Sequence, residues 1–181
     1  MAFIELVKSR KSVRNFLDTR VERDKLLSCL EVARLAPSAS NSQPWRFVVV
    51  DDQKVRNELC KRAFGAIHSF NSFVWTAPVI VAVIFEKSNF FTGIGAMISG
   101  TSYHLVDVGI ACEHFVLQAE DLGLGSCYIG WFNERGVKSV LKIPRSKKVG
   151  LLIALGYYEK EPLVREHKRK PLEEIASFNS F

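Results

Sequence analysis

Residues 102–122 read SYHLVDVGIACEHFVLQAEDL, a proline-free stretch with apolar residues at every third or fourth position. Leu105, Val108, Cys112, Phe115, Ala119 and Leu122 share one side of the helix that this spacing implies. Val106, Ile110 and Leu117 share another. A helix apolar on two sides must bury two sides, either at the centre of its own core or with one side against a second subunit. Gly123 follows, where the left-handed conformation that closes a helix costs least.

Outward from this helix, SCYIGWF (126–132) reads as a strand and NERGVKSVLKI (133–143) as a short helix capped by Asn133. KVGLLIALGYY (148–158) is a final buried strand. Upstream, residues 87–101 form an irregular excursion, and PVIVAVIFE (78–86) and FVVVDD (47–52) are buried strands flanking a surface helix in DQKVRNELCKRAF. A helix fits residues 22–35, where Leu26, Leu30 and Ala33 share a face and Pro37 ends the run, and FIELVKSR is a shorter amphipathic one. Helices alternating with β-branched runs give an α+β or α/β sandwich. The length, 181 residues, is that of one domain spanning 1–181, without repeats, linkers or low-complexity tracts.

With 48% hydrophobic residues the chain has ample material for one core. A net charge of +6 is compatible with an acidic or phosphorylated partner, but the basic residues read as dispersed, the densest cluster being HKRK at 167–170. That favours a basic enzyme surface over nucleic-acid binding. The apolar runs are shorter than the roughly 18 residues of a membrane span, so a cytoplasmic protein is expected. The cysteines at 29, 60, 112 and 127 and the histidines at 68, 104, 114 and 167 form no metal pattern, and the cysteines read as reduced core residues.

GIGAMISG and GLGSCYIG begin as GxG, yet the third glycine of a dinucleotide fingerprint falls on Ile98 and Tyr128. There is no Walker, GxSxG or HExxH motif. What remains is RKSVRNF (10–16), PSASNSQPW (37–45) and REHKRKP (165–171). The first gathers three cations and a hydroxyl just after a helix end; it is a solvated basic loop or an anion cradle in which Arg10 and Ser12 hold a phosphate. The third is an exposed tail or a further cation for that phosphate. The second is a chain reversal, or a polar rim suited to a flat heterocycle beside Trp45.

In this order, RKSVRNF, PSASNSQPW, DVGIA, GLGSCYIG and RKP resemble the nitroreductase family of FMN-dependent oxidoreductases over nearly the whole chain. The resemblance implies a three-layer α+β sandwich with a central, mostly antiparallel sheet flanked by helices, forming a homodimer that binds FMN at the subunit interface. It favours a subunit contact for the helix at 102–122. By the same resemblance, Arg10 and Ser12 bind the FMN phosphate and ribityl end, with Lys11 adding backbone and charge, and Arg14 lies near the pyrimidine edge. Pro37, Ser38, Ala39, Ser40 and Asn41 reach the partner's flavin with Gln43 nearby, while Trp45 packs. Ile129 or Gly130 offers a main-chain N–H to flavin N5, and His167 and Arg169 add cations to the phosphate. Asn71 matches a flavin-binding asparagine of some members, although the lysine those members carry three residues on is Val74 here. Phe90, Phe91 and Tyr103 are candidates for a pocket wall.

The implied activity passes hydride from NADH or NADPH through flavin N5 to an electron-poor small molecule such as a nitroaromatic or quinone, with no catalytic side chain. The alternatives are a dehalogenase-like or flavin-fragmenting enzyme of the same family and, from another class, a basic nucleic-acid-binding module.

Overall fold

In the computed structural model, which describes residues 2–65, 71–86, 100–159 and 169–181, the architecture follows from two strands that have no polar face. Strand β2 (Val79–Phe85) pairs antiparallel with β4 (Lys148–Gly156). Because side chains alternate across a strand, Ile80, Ala82, Ile84, Leu152 and Ala154 enter one core, while Val79, Val81, Val83, Ile153 and Leu155 enter another on the opposite face. Both faces therefore need a cover of helices.

Helices α2 (Arg23–Arg34) and α4 (Tyr103–Asp121) cover one face, and α3 (Gln53–Phe64) and α5 (Glu134–Leu141) cover the other. Strand β1 (Trp45–Val50) lies outside β2, and β3 (Gly125–Ile129) lies outside β4. The sheet of described residues has the order β1-β2-β4-β3, antiparallel throughout. This is the expected α+β sandwich of three layers. His167, Phe90, Phe91 and most of the 87–101 excursion lie outside the described residues.

Local chemistry sets the element ends. Asp52, read from sequence at the junction of the strand FVVVDD and the helix DQKVRNELCKRAF, is the N-cap of α3 and accepts the Val55 N–H at 2.9 Å. The strand itself starts earlier, at Trp45, which packs against the α2/α4 core. Asn133 caps α5 by accepting the Gly136 N–H at 3.2 Å. Strand β3 stops at Ile129, short of the expected 132, and the chain then leaves the sheet. Gly123, with φ 79°, closes α4 while the Leu124 N–H reaches the Ala119 carbonyl at 2.8 Å.

The first apolar stripe of α4 is buried at Val108, Cys112, Phe115 and Ala119, and Phe115 stacks on Phe47 at 5.8 Å between centroids. Leu105, expected in that stripe, is exposed, as is Val106 of the second stripe. Helix α1 (Phe3–Ser9) buries none of its residues and exposes Phe3, Ile4 and Val7. All four cysteines are buried and free. Burial pushes the thiols of Cys29 and Cys112 up to about 12 and that of Cys60 to about 11, so they stay protonated. Among the described residues no cluster could hold a metal ion and no helix is long and apolar enough to cross a membrane.

Glu134 fastens α5 to the start of β4. It pairs with Lys138 at 2.8 Å and Lys148 at 2.7 Å and accepts the Val149 N–H at 3.0 Å. Burial opposes its ionisation, but these hydrogen bonds outweigh it and bring its pKa from 4.5 to about 2. A depressed carboxylate stabilises the fold above its unfolded pKa and loses that contribution as pH falls through the folded one. Glu134→Gln should therefore cost about 1–2 kcal/mol at pH 7, discounted for partial exposure. In urea unfolding series, the gap to the wild type should close between pH 4.5 and 2; a gap that persists at pH 2 assigns the loss to packing instead.

Candidate functional site

The segment after α1 is laid along the free edge of β3. Arg10 closes α1, its N–H reaching the Leu6 carbonyl at 3.2 Å, and the chain then runs extended so that Ser12 bridges Ser126 and the Val13 N–H donates to the Ser126 carbonyl at 2.9 Å. This approach needs Gly125, because a Cβ there would stand 2.6 Å from Val13 Cγ2 and from the Tyr158 ring. Extended backbone alternates its side chains. Val13 enters the core and Lys11 lies over the Tyr158 ring at 5.5 Å, while Arg10, Ser12 and Arg14 project to the other side.

These three side chains meet the end of β3. Arg10 is mostly buried and ion-paired with Glu113 of α4, Nε to Oε1 at 3.7 Å. The Tyr128 hydroxyl donates to the other oxygen of Glu113 at 3.3 Å. Burial raises the Tyr128 pKa, the Glu113 charge adds to the effect, and Arg10 opposes it. The Cys127 thiol is raised by burial, with partial relief from Arg14, Arg10 and a hydrogen bond with Ser12. Arg14 stands over the Phe73 ring at 6.0 Å. Asn71, two residues before Phe73, donates from Nδ2 to the Trp131 carbonyl at 2.9 Å. Gly130, between Ile129 and Trp131, faces open space: a Cβ there would meet nothing within 4 Å. Arg10, Ser12, Arg14, Asn71 and Gly130 thus belong to one surface, whereas Ile129 is buried in the core.

Pro37–Gln43 belongs to a different one. Ser40, Asn41 and Gln43 have φ of 52°, 50° and 45°, left-handed values that non-glycine residues adopt at a cost. The strip is braced internally. The Asn41 N–H donates to the Ser38 carbonyl at 3.0 Å, the Gln43 N–H to Ser38 Oγ at 2.9 Å, and Gln43 Nε2 to Asn41 Oδ1 at 3.0 Å. It is anchored by Asp107 of α4, whose Oδ1 accepts the Ala39 N–H at 3.1 Å. Asp107 is only 4% exposed, and its Oδ2 has no hydrogen-bond partner among the described residues.

Asp107 and Glu113 are six residues apart, about 9 Å along α4 and about 120° around it. Within one chain, the strip and the Arg10 surface therefore leave α4 on different sides. Arg169 is exposed in the C-terminal segment and makes no ion pair with the described residues. Asp107, Glu113 and Tyr128 were not singled out from the sequence. The available signal was four acids, Asp107, Glu113, Glu120 and Asp121, in a helix otherwise apolar on two sides, where an acid that packs needs a partner.

A family model described as "Nitroreductase family" matches residues 7–71 and 67–157. A Thermus thermophilus protein named NADH dehydrogenase is 29% identical, over 92% of this chain and 90% of its own length. An iodotyrosine deiodinase of Thermotoga neapolitana is 27% identical, over 98% of this chain and 97% of its own. Among solved structures, an FMN-dependent nitroreductase from Clostridium difficile superposes with a TM-score of 0.77 at 27% identity, covering 99% of this chain and all of the other.

Asp107→Ala removes the anchor of the strip together with a half-paired buried carboxylate, two effects of opposite sign. Global stability should move by less than about 1.5 kcal/mol, while amide hydrogen exchange at Ala39–Gln43 should accelerate roughly tenfold or more, one decade being about 1.4 kcal/mol of local opening. Unchanged exchange across those amides would show that another contact holds the strip.

Proposed function

Starting from the nitroreductase family, to which this chain belongs, we propose that it is an FMN-dependent oxidoreductase that takes hydride from NADH or NADPH and reduces an electron-poor small molecule such as a nitroaromatic or quinone. The observation that carries this reading is the convergence of Arg10, Ser12 and Arg14 with the open backbone at Gly130 on one edge of the sheet. These residues fit FMN. Arg10 and Ser12 suit its phosphate and ribityl end, with Lys11 adding charge, and Arg169 and His167 are further phosphate ligands in this reading. Arg14, over the Phe73 ring and without an acid partner among the described residues, is assigned to the pyrimidine edge, and Asn71, whose Nδ2 donates to the Trp131 carbonyl, to the same edge. The backbone of Ile129 or Gly130 supplies an N–H donor to the flavin ring. When bound, FMN supplies the hydride chemistry, so no side chain has to act as nucleophile or base.

The second half of the site comes from a second copy of the chain. Pro37, Ser38, Ala39, Ser40, Asn41 and Gln43 form a polar strip that points away from the chain's own Arg10 surface, and a homodimer brings the strip of one subunit to the flavin of its partner. Uncovered apolar residues support this assembly. Phe3, Ile4 and Val7 on α1, Leu105 and Val106 on α4, and Leu172, Ile175, Phe178 and Phe181 at the C-terminus are all exposed in the single chain.

Reductive dehalogenation is the second reading, favoured by the deiodinase relative that spans nearly the full length of both chains.

The purified protein should be yellow and dimeric by light scattering. Arg10→Ala should weaken FMN binding about 10- to 100-fold, the loss of one charge-assisted contact. A colourless monomer that takes up no added FMN would falsify the proposal, and wild-type FMN affinity in Arg10→Ala would remove Arg10 from the phosphate. Turnover with nitroaromatics and quinones set against halotyrosines separates the two acceptor classes.

A further inference from the structure

Residues 134–148 carry six cations, Arg135, Lys138, Lys142, Arg145, Lys147 and Lys148, against the single acid Glu134, so this stretch alone holds +5 of the chain's net +6. Three of the six are paired: Lys138 and Lys148 with Glu134, and Lys147 with Glu86. Arg135, Lys142 and Arg145 have no acid partner among the described residues. The 25 basic residues are spread along the sequence, but six of them fall in this one stretch against a single acid.

The fold shapes this charge into a cavity. Arg135, Lys138 and Ser139 share a side of α5. Lys138 Nζ also reaches the Arg145 carbonyl at 3.3 Å, and a turn closed by the Lys147 N–H on the Pro144 carbonyl, 3.0 Å, carries Arg145 back toward the helix. Between them lies a cavity of about 630 Å³ lined by Glu134, Arg135, Lys138, Ser139, Ile143 and Arg145, with Ile143 mostly buried. Its one acid is already engaged by two lysines and the Val149 N–H. The walls therefore offer an incoming anion two unpaired guanidinium forks and a hydroxyl, the donor set that grips a phosphomonoester.

The cavity is also close to the proposed flavin edge. Ile129 pairs with Leu152 on β4, and Glu134 bonds the N–H of Val149, three residues earlier on the same strand. Three residues of strand are about 10 Å. The ribose–pyrophosphate–ribose link of a pyridine dinucleotide bridges a gap of that order, which lets a nicotinamide at the edge beside Gly130 send its adenosine end to α5.

We propose that this cavity receives the 2′-phosphate of NADPH and gives the enzyme a preference for NADPH over NADH. The inference rests on the oxidoreductase reading and specifies its electron donor. NADH carries a hydroxyl at that position and leaves both guanidinium groups to water, so the discrimination comes from charge-assisted bonds that only one nucleotide can make.

Both arginines are exposed, so the double variant Arg135→Ala/Arg145→Ala keeps its core. With a fixed acceptor, the wild type should show a KM for NADPH at least about tenfold below that for NADH. The double variant should raise the NADPH value about 10- to 100-fold, leaving kcat and the NADH value within about twofold. Calorimetry gives a readout independent of turnover: adenosine 2′,5′-bisphosphate should bind the wild type and not the variant, and 5′-AMP should bind neither. An unchanged NADPH KM in the variant overturns the assignment. So does binding of 5′-AMP or inorganic phosphate as tight as that of the bisphosphate, which makes the cavity a general anion site. A protein reduced by neither nucleotide overturns the oxidoreductase reading instead, and the bisphosphate titration still decides the cavity.

Discussion

The structure depends on the pairing of β2 with β4, two strands in which nearly every side chain is apolar and buried. A strand of this kind has no face it can turn to water, and each Val, Leu or Ile side chain buried on either side adds about 1.5–3 kcal/mol of driving force. Helices must cover both faces, and α2 with α4 and α3 with α5 do so. The polar chemistry is then excluded from both faces of the central strand pair and is left with the sheet edges and the outer surfaces of the helices.

The edge at β3 is where the candidate site forms. An edge strand exposes unpaired backbone groups that must be satisfied or protected, and here the segment after α1 takes that position, admitted by the missing side chain of Gly125. The same contact delivers Arg10, Ser12 and Arg14 to the end of β3, where Glu113 of α4 and Phe73 hold two of them. Packing and site assembly are therefore one event: the residues that close the edge are the residues that carry the charge.

The opposite economy governs Pro37–Gln43. Three left-handed non-glycine residues and a buried carboxylate oxygen with no partner among the described residues are unfavourable on their own, and they persist because Asp107 and the internal hydrogen bonds over-determine the turn. Such strain fits a surface shaped for contact rather than for the stability of the isolated chain, as do the uncovered apolar residues of α1, α4 and the C-terminal segment.

Much of the fold was legible in the sequence because its signals are local. Continuous apolar runs marked β2 and β4, three-to-four periodicity marked α2 and α4, and Asn133 and Gly123 marked helix ends; each depends on residues within a few positions of one another. The polar motifs RKSVRNF and PSASNSQPW could be located by composition, and their resemblance to a family gave them roles. Two matters were decided only by tertiary structure. Asp107 and Glu113 gained partners because α4 brings them to segments some 70 and 100 residues upstream. The cations of 134–148 became a cavity because a turn folds Arg145 back toward α5. Sequence periodicity reports which side of an element is apolar, but which distant group a charge will meet depends on how the elements pack, and no local pattern encodes that.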